Sequence, residues 1–207
     1  QATHTINDLP ILLSPHIGDQ LEYLAQRSHQ LTIQRHGKIM QLFIPLYLSN
    51  ECFNTCTYCG FSIENKYPRV TLTTDQLHHE FKLLKSKGFD HILLLTGEAP
   101  GKVDANYISN GVKIASQYFS SVGIEVQPLK TEEYISCIIN GADSLTLYQE
   151  TYHPKSYSMY HLRGKKKNYI NRLDAVDNAG KAGFYKINIG ALLGLYDWRF
   201  EALAVAN

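Results

Sequence analysis

Five short apolar runs, separated by segments with helical periodicity, limit the fold of this chain more than any other feature. They are QLFIPLYLS (Gln41–Ser49), HILLLT (His91–Thr96), GIEVQ (Gly123–Gln127), SLTLYQ (Ser144–Gln149) and KINIGA (Lys186–Ala191). Nearly continuous apolarity predicts strands covered on both faces, as in a parallel sheet. The intervening segments carry helix signals. Ser14-Pro15 reads as an N-cap followed by proline at the first helical position, with Ile17, Leu21, Leu24, Ser28 and Leu31 on one face. Thr73-x-x-Gln76 reads as a capping box ahead of Leu77, Phe81 and Leu84. Helices are also predicted over 104–121, 131–140 and 168–182. Gly88, Gly141 and Gly183 stand where helices should stop and lead at once into the next strand.

Strand and helix in strict alternation predict a parallel α/β fold. Periodicity alone does not separate an open doubly wound sheet from a barrel, and a closed eight-stranded barrel needs more chain than this. The predicted organisation is a helical segment over 1–40 and a sheet-and-helix unit over 41–207. The chain opens on Gln1 and closes in a helical pattern after Trp198-Arg199-Phe200-Glu201, as expected of a fragment.

Twenty basic residues against nineteen acidic ones leave a net charge of +1, which gives no electrostatic reason to expect nucleic acid. The run Arg163-Gly164-Lys165-Lys166-Lys167 reads as a solvated loop and the start of a helix. No apolar run approaches the ~20 residues of a membrane span, and no secretion signal is seen. Four cysteines are too few for a disulfide scaffold; their clustering predicts a metal in a reducing compartment, hence a cytoplasmic protein.

Three of those cysteines, Cys52, Cys56 and Cys59, form C-x3-C-x2-C in the loop after the first predicted strand. A structural zinc site is closed by four protein ligands, commonly from paired C-x2-C units, and only one such unit exists here. Cys137 falls mid-helix and reads as a small buried hydrophobe, while His78 and His79 read as a solvated helix face. A 4Fe–4S cluster takes four thiolates, so three leave one iron open for a small molecule. An electron-carrying ferredoxin would want the fourth. Further polar residues follow the other strands: Thr96-Gly97-Glu98, Gln127, Gln149-Glu150 and Gly190. Parallel α/β folds place their sites at that end.

C-x3-C-x2-C after the first strand, with the aromatic Tyr58 just before the last cysteine, resembles the radical S-adenosylmethionine (SAM) superfamily. Leu46–Asn50, Tyr58–Ser62, Leu95–Glu98, Glu125–Leu129 and above all Tyr148-Gln149-Glu150-Thr151-Tyr152-His153 are similar to its tyrosine lyase branch. His161–Lys166 and Asn171–Asp174 favour the thiamine side of that branch over the hydrogenase-maturation side, while Gly194–Phe200 occurs in both.

The resemblance implies a partial TIM barrel, of which this chain holds the first five or so βα units. It implies a 4Fe–4S cluster on Cys52, Cys56 and Cys59, with SAM chelating the open iron. It also implies that Glu98 accepts from the SAM amino group, Glu150 holds its ribose, and Arg172 pairs with its carboxylate. The same resemblance implies that Tyr58 and Phe61 contact adenine and that Gly190 lets the backbone approach it, the plainer alternative for the aromatics being core. The plainer alternatives are that Glu98 caps a helix and Arg172 is a surface arginine. The implied reaction splits the Cα–Cβ bond of L-tyrosine into 2-iminoacetate and p-cresol for thiamine thiazole synthesis. The alternatives are the same cleavage for FeFe-hydrogenase maturation, or a non-catalytic iron–sulfur carrier. Implied partners are reduced flavodoxin or ferredoxin and thiazole synthase, with no nucleic acid or membrane. No catalytic residue is assigned, and these 207 residues alone are expected to be inactive as a lyase.

Overall fold

A computed structural model describes residues 5–207. Helices α1 (Leu9–Leu12) and α2 (Leu21–His36) precede the first strand. Then follow β1 (Phe43–Ser49), β2 (Thr55–Cys56), α3 (Thr74–Ser86), β3 (His91–Thr96), α4 (Ala105–Ala115), β4 (Ser121–Glu125), α5 (Thr131–Ile139) and β5 (Ser144–Thr146). The chain ends with α6 (Pro154–Tyr160), β6 (His161–Arg163), α7 (Tyr169–Ala182), β7 (Lys186–Asn188) and α8 (Trp198–Ala206).

The main sheet is parallel throughout, in the order β1-β3-β4-β5-β7. Each strand lies beside the next main-sheet strand in sequence, so the sheet winds one way only. That is the winding of a barrel; a doubly wound sheet would reverse its order. Five strands make an arc of such a barrel. A second, two-stranded antiparallel sheet joins β2, in the cysteine loop, to β6.

Side chains alternate across the strands. Leu46 and Leu48, Ile92 and Leu94, Val122 and Ile124, Leu145 and Ile187 point to the helices. There they meet Leu77 and Phe81 of α3, Ile108 and Val112 of α4, Tyr134 of α5 and Ala175 and Ala179 of α7. This layer is the core. The other face carries Tyr47, Leu95 and Glu125 toward the strand C-termini and Gly123, Ser144, Thr146, Lys186 and Asn188 further along. The expectation of strands apolar on both faces therefore holds for β1 and β3, whose inner face carries Phe43, Tyr47, Leu93 and Leu95, and for the helix side of the other strands. The inner face of β4, β5 and β7 is polar because it lines hollows instead of a second layer.

The capping box forms as the sequence predicts: the Thr73 hydroxyl accepts from Gln76 N–H, and the Gln76 amide oxygen accepts from Thr73 N–H. The helix predicted over 104–121 is shorter. It runs only to Ala115, and Ser121 already belongs to β4 because the amides of Ser120 and Ser121 bond to Asp90. Ser14 makes no side-chain cap; a 3-10 turn, Pro15–Gln20, follows it, and no residue of α2 is buried. His78 is not a solvated histidine, since its Nδ1 lies 2.8 Å from the Tyr118 hydroxyl.

Candidate functional site

The cysteine loop leaves β1 at Ser49, whose hydroxyl lies 2.8 Å from Thr71 and accepts from Glu51 N–H. The loop is then stitched by one guanidinium. Arg69 donates to the carbonyls of Asn50 at 2.8 Å, Phe61 at 3.0 Å and Ser62 at 2.8 Å. A planar fork suits several carbonyls at once better than a lysine ammonium does. From the neighbouring strand, Gly97 comes so close that a Cβ there would meet the Glu51 carbonyl oxygen at 2.2 Å.

These elements enclose a cavity of about 210 Å³ at the C-terminal ends of the strands. Cys52, Cys56 and Cys59 all line it, with Tyr47, Tyr58 and Phe61 as aromatic wall. Three acids (Glu98, Glu125, Glu150) and two cations (Lys166, Arg172) complete it. The expected convergence of the post-strand residues is thus observed for Thr96, Gly97, Glu98, Gln127 and Glu150. Gln149 is buried but serves a loop, donating to Tyr169 O at 3.2 Å. Gly190 does not line the cavity; a Cβ on it would meet the Tyr148 ring at 3.1 Å.

Asn54 organises the cysteine side. Its amide nitrogen donates to Glu98 at 2.8 Å and lies 3.7 Å from Cys52 Sγ, and its amide oxygen accepts from Lys166 N–H at 3.0 Å. Glu98 is therefore a buried acceptor in the wall of the cavity, not a helix cap. Lys166 corrects the reading of its basic run as solvated. Its Nζ reaches Glu150 at 2.7 Å. The turn that allows this passes through Gly164, at φ +86°, where a Cβ would stand 2.1 Å from Asn54 Oδ1.

Glu150 is the one non-glycine among the described residues with positive φ, at 72°. Such strain persists only where surroundings impose it, and it recurs at functional sites. Here Lys166 and, at 3.6 Å, Arg172 Nη2 hold the carboxylate. The next residues are fixed from α8: buried Glu201 bonds the Thr151 hydroxyl and accepts from Tyr152 N–H at 2.9 Å. Arg172 is buried on α7 and donates through Nε to Tyr148 O at 2.7 Å. It is not a surface arginine.

Tyr58 donates to a fully buried histidine. His161 Nδ1 lies 2.8 Å from the Tyr157 carbonyl, which only accepts, so Nδ1 carries the proton. Nε2 is then an acceptor, 2.7 Å from the Tyr58 hydroxyl. Burial, against a raising bond to Tyr157, holds the imidazole neutral with a pKa lowered to about 4. Burial also pushes Cys56 up to about 11 and Tyr58 well above the phenol range. Cys137, in the α5 core, rises to about 12 for the same reason and stays away from the cavity, as the sequence predicts.

The donor set tests what could bind. Among the described residues no three His, Cys, Asp or Glu side chains are arranged to hold a single metal ion. The three thiols instead share one cavity wall, which fits a larger group that takes one thiolate at each of several metal corners. A bound cationic metal also offsets the burial that disfavours the Cys56 thiolate. The residues fit a 4Fe–4S cluster and do not fit a closed zinc site.

A one-way parallel arc with a three-thiol pocket at its strand C-termini defines a class of iron–sulfur barrel enzymes. Residues 46–205 match the radical SAM superfamily, and the chain belongs to it. Members of that superfamily use a 4Fe–4S cluster and SAM. The chain is 45% identical over 202 residues to 2-iminoacetate synthase of Salmonella typhimurium, covering 97% of this chain and 54% of that protein. The crystal structure of HydG, a maturase of the [FeFe]-hydrogenase, superposes with a TM-score of 0.94 at 29% identity, over 98% of this chain and 46% of that one. Methylornithine synthase (PylB) superposes at 0.80 with 27% identity, over 98% and 59%. The chain spans about half the length of the curated relatives it matches.

Sequence reasoning assigned no role to Asn54, Arg69, Glu125, Lys166, His161 or Glu201. Glu125, His161 and Lys166 fall inside stretches singled out for their resemblance, but their partners in the site are not local in sequence.

Proposed function

We propose that the complete protein is a radical SAM lyase that cleaves the Cα–Cβ bond of L-tyrosine to 2-iminoacetate and p-cresol. The observation that carries this reading is the three-thiol pocket, in a chain 45% identical to a 2-iminoacetate synthase. In this reading Cys52, Cys56 and Cys59 hold the cluster. A 4Fe–4S cluster held there would supply the electron for reductive cleavage of bound SAM, the source of the radical chemistry.

The chain's own residues bind and exclude. Glu98, kept beside Cys52 by Asn54, accepts from the SAM amino group, a hydrogen bond strengthened by the charge of the carboxylate. Arg172 turns its guanidinium to the SAM carboxylate, and Glu150, neutralised by Lys166, takes the ribose hydroxyls. Tyr58 and Phe61 close the aromatic wall over the adenine, with His161 fixing Tyr58. Gly190 acts one step back, leaving room for the Tyr148 ring. The strand-end pocket keeps water from a reactive intermediate and holds the target hydrogen near it.

Among the described residues no helix is long and apolar enough to cross a membrane. The reading places the protein in the cytoplasm, with reduced flavodoxin or ferredoxin as electron donor and thiazole synthase as consumer of 2-iminoacetate. Of the lead-in expected over 1–40, residues 1–4 lie outside the described residues, and the described part, with α1 and α2, precedes the barrel over 41–207. These 207 residues alone are expected to release no p-cresol.

The test is the complete protein, reconstituted anaerobically and given SAM, a reductant and tyrosine. Formation of both p-cresol and 5′-deoxyadenosine supports the reading; deoxyadenosine without p-cresol discards tyrosine as substrate. The superposition on HydG favours one second reading, the same cleavage in hydrogenase maturation. Release of carbon monoxide and cyanide would select it.

A further inference from the structure

Three carboxylates line the cavity, and two are spoken for. Glu98 is held by Asn54, and Glu150 by Lys166 and Arg172. The Glu125 carboxylate, in the wall of the same cavity, accepts no side-chain or backbone hydrogen bond among the described residues. The nearby cations compensate only in part and form no ion pair with it: Lys166 is paired with Glu150, and Arg172 is shared between Glu150 and the Tyr148 carbonyl.

The position of Glu125 is fixed by the sheet. It ends β4 in register with Leu95 of β3, which is in register with Tyr47 of β1. These three residues form one row across the inner face, and all of them line the cavity. Next to that row, Tyr47 and Phe61 meet edge to face at 4.9 Å. The cavity therefore pairs a carboxylate lacking a donor with an aromatic and aliphatic wall. Burial and the neighbouring Glu150 both raise the pKa of Glu125, and a cationic donor would relieve both.

We propose that Glu125 is the specificity residue that accepts the α-ammonium group of the amino-acid substrate. The inference rests on the lyase reading above and deepens it. The amino group of SAM is the competing donor, but Glu98 already stands beside Cys52 on the cluster side, whereas Glu125 sits two strands away from β1. A strand-borne carboxylate positions the amine more firmly than a loop would. The side chain of the amino acid then lies along Tyr47 and Leu95.

The test uses the complete, cluster-loaded protein and its Glu125→Gln variant. Equilibrium binding of L-tyrosine, of 3-(4-hydroxyphenyl)propionate (the same molecule without its amine) and of SAM is measured by titration calorimetry. A charge-assisted hydrogen bond corresponds to roughly a ten- to hundredfold change in affinity. Glu125→Gln is expected to weaken tyrosine by that factor, to leave the desamino analogue and SAM within about twofold, and to raise KM more than it lowers kcat. Because it removes a half-buried charge, the variant should melt no lower than the parent. Tyrosine affinity within about threefold of the parent, or a loss on SAM instead, would overturn the proposal. If the parent itself makes deoxyadenosine but neither binds nor cleaves tyrosine, the lyase reading falls, and this inference with it.

Discussion

Replacing Asn54 with alanine should break the joint between the cysteine loop and the segment that carries Lys166. Asn54 is 2% exposed, so its bonds have no ready substitute in water. The charge-assisted bond to Glu98 is worth about 1.5–3 kcal/mol, and leaving Lys166 N–H without its acceptor costs about 1–2 kcal/mol more. Together these give a destabilisation of about 2.5–5 kcal/mol. At about 2–4 °C per kcal/mol, that lowers Tm by about 5–20 °C for a chain of this size and by less for the longer complete protein. The assay is thermal denaturation of the complete protein beside iron and sulfide analysis after reconstitution. Iron content should fall too, because the same amide nitrogen faces Cys52. Asn54→Asp separates chemistry from volume: it keeps an acceptor for Lys166 N–H and leaves no cavity, yet sets a second carboxylate against Glu98. It should therefore lose stability as well. If Asn54→Ala melts within about 2 °C of the parent and keeps its iron, the reasoning is wrong.

Other outcomes follow from the same geometry. His161 is held neutral with a pKa near 4 against an ordinary 6.5, so the unfolded chain binds the extra proton first. Its contribution to stability is full above about pH 6.5 and is lost as pH falls toward 4. After allowance for partial solvation of its surroundings this is on the order of 2 kcal/mol; urea melts of the cluster-free protein at pH 7 and pH 4.5 should show it, and His161→Gln should flatten it. Arg69→Lys replaces a fork by a single point of charge, and reconstituted protein should lose iron on gel filtration faster than the parent, with helix content by circular dichroism unchanged. Cys137→Ala, in the α5 core, should keep full iron content and lose only about 1–2 kcal/mol, read from a denaturant melt.

The parts of the fold legible in the sequence are those governed by local rules. The strand at His91–Thr96 and the helix starting after Thr73 are found where apolar runs and a capping box put them. The ends of Gly123–Gln127 and of the helix before it were misplaced by two to several residues. There the boundary is set by bonds from Ser120 and Ser121 to the distant Asp90, which no local pattern encodes. The candidate site divides the same way. The thiols and Glu98 were legible because they sit just after strands. Lys166 and His161 were not, because β6 brings them to the cysteines from more than a hundred residues away. Glu125 was legible as part of a motif but not as a carboxylate without a donor, since that fact depends on what the other two acids have already bound.

The measurement that bears most directly on the account is the electron paramagnetic resonance spectrum of the anaerobically reconstituted, reduced complete protein, recorded with and without SAM. Three protein thiolates around one cavity predict a four-iron signal whose g values shift when SAM takes the open corner, and its loss when Cys56 is replaced by serine. A signal indifferent to SAM, or one that survives the Cys56→Ser change and vanishes with Cys137→Ala, would contradict the account.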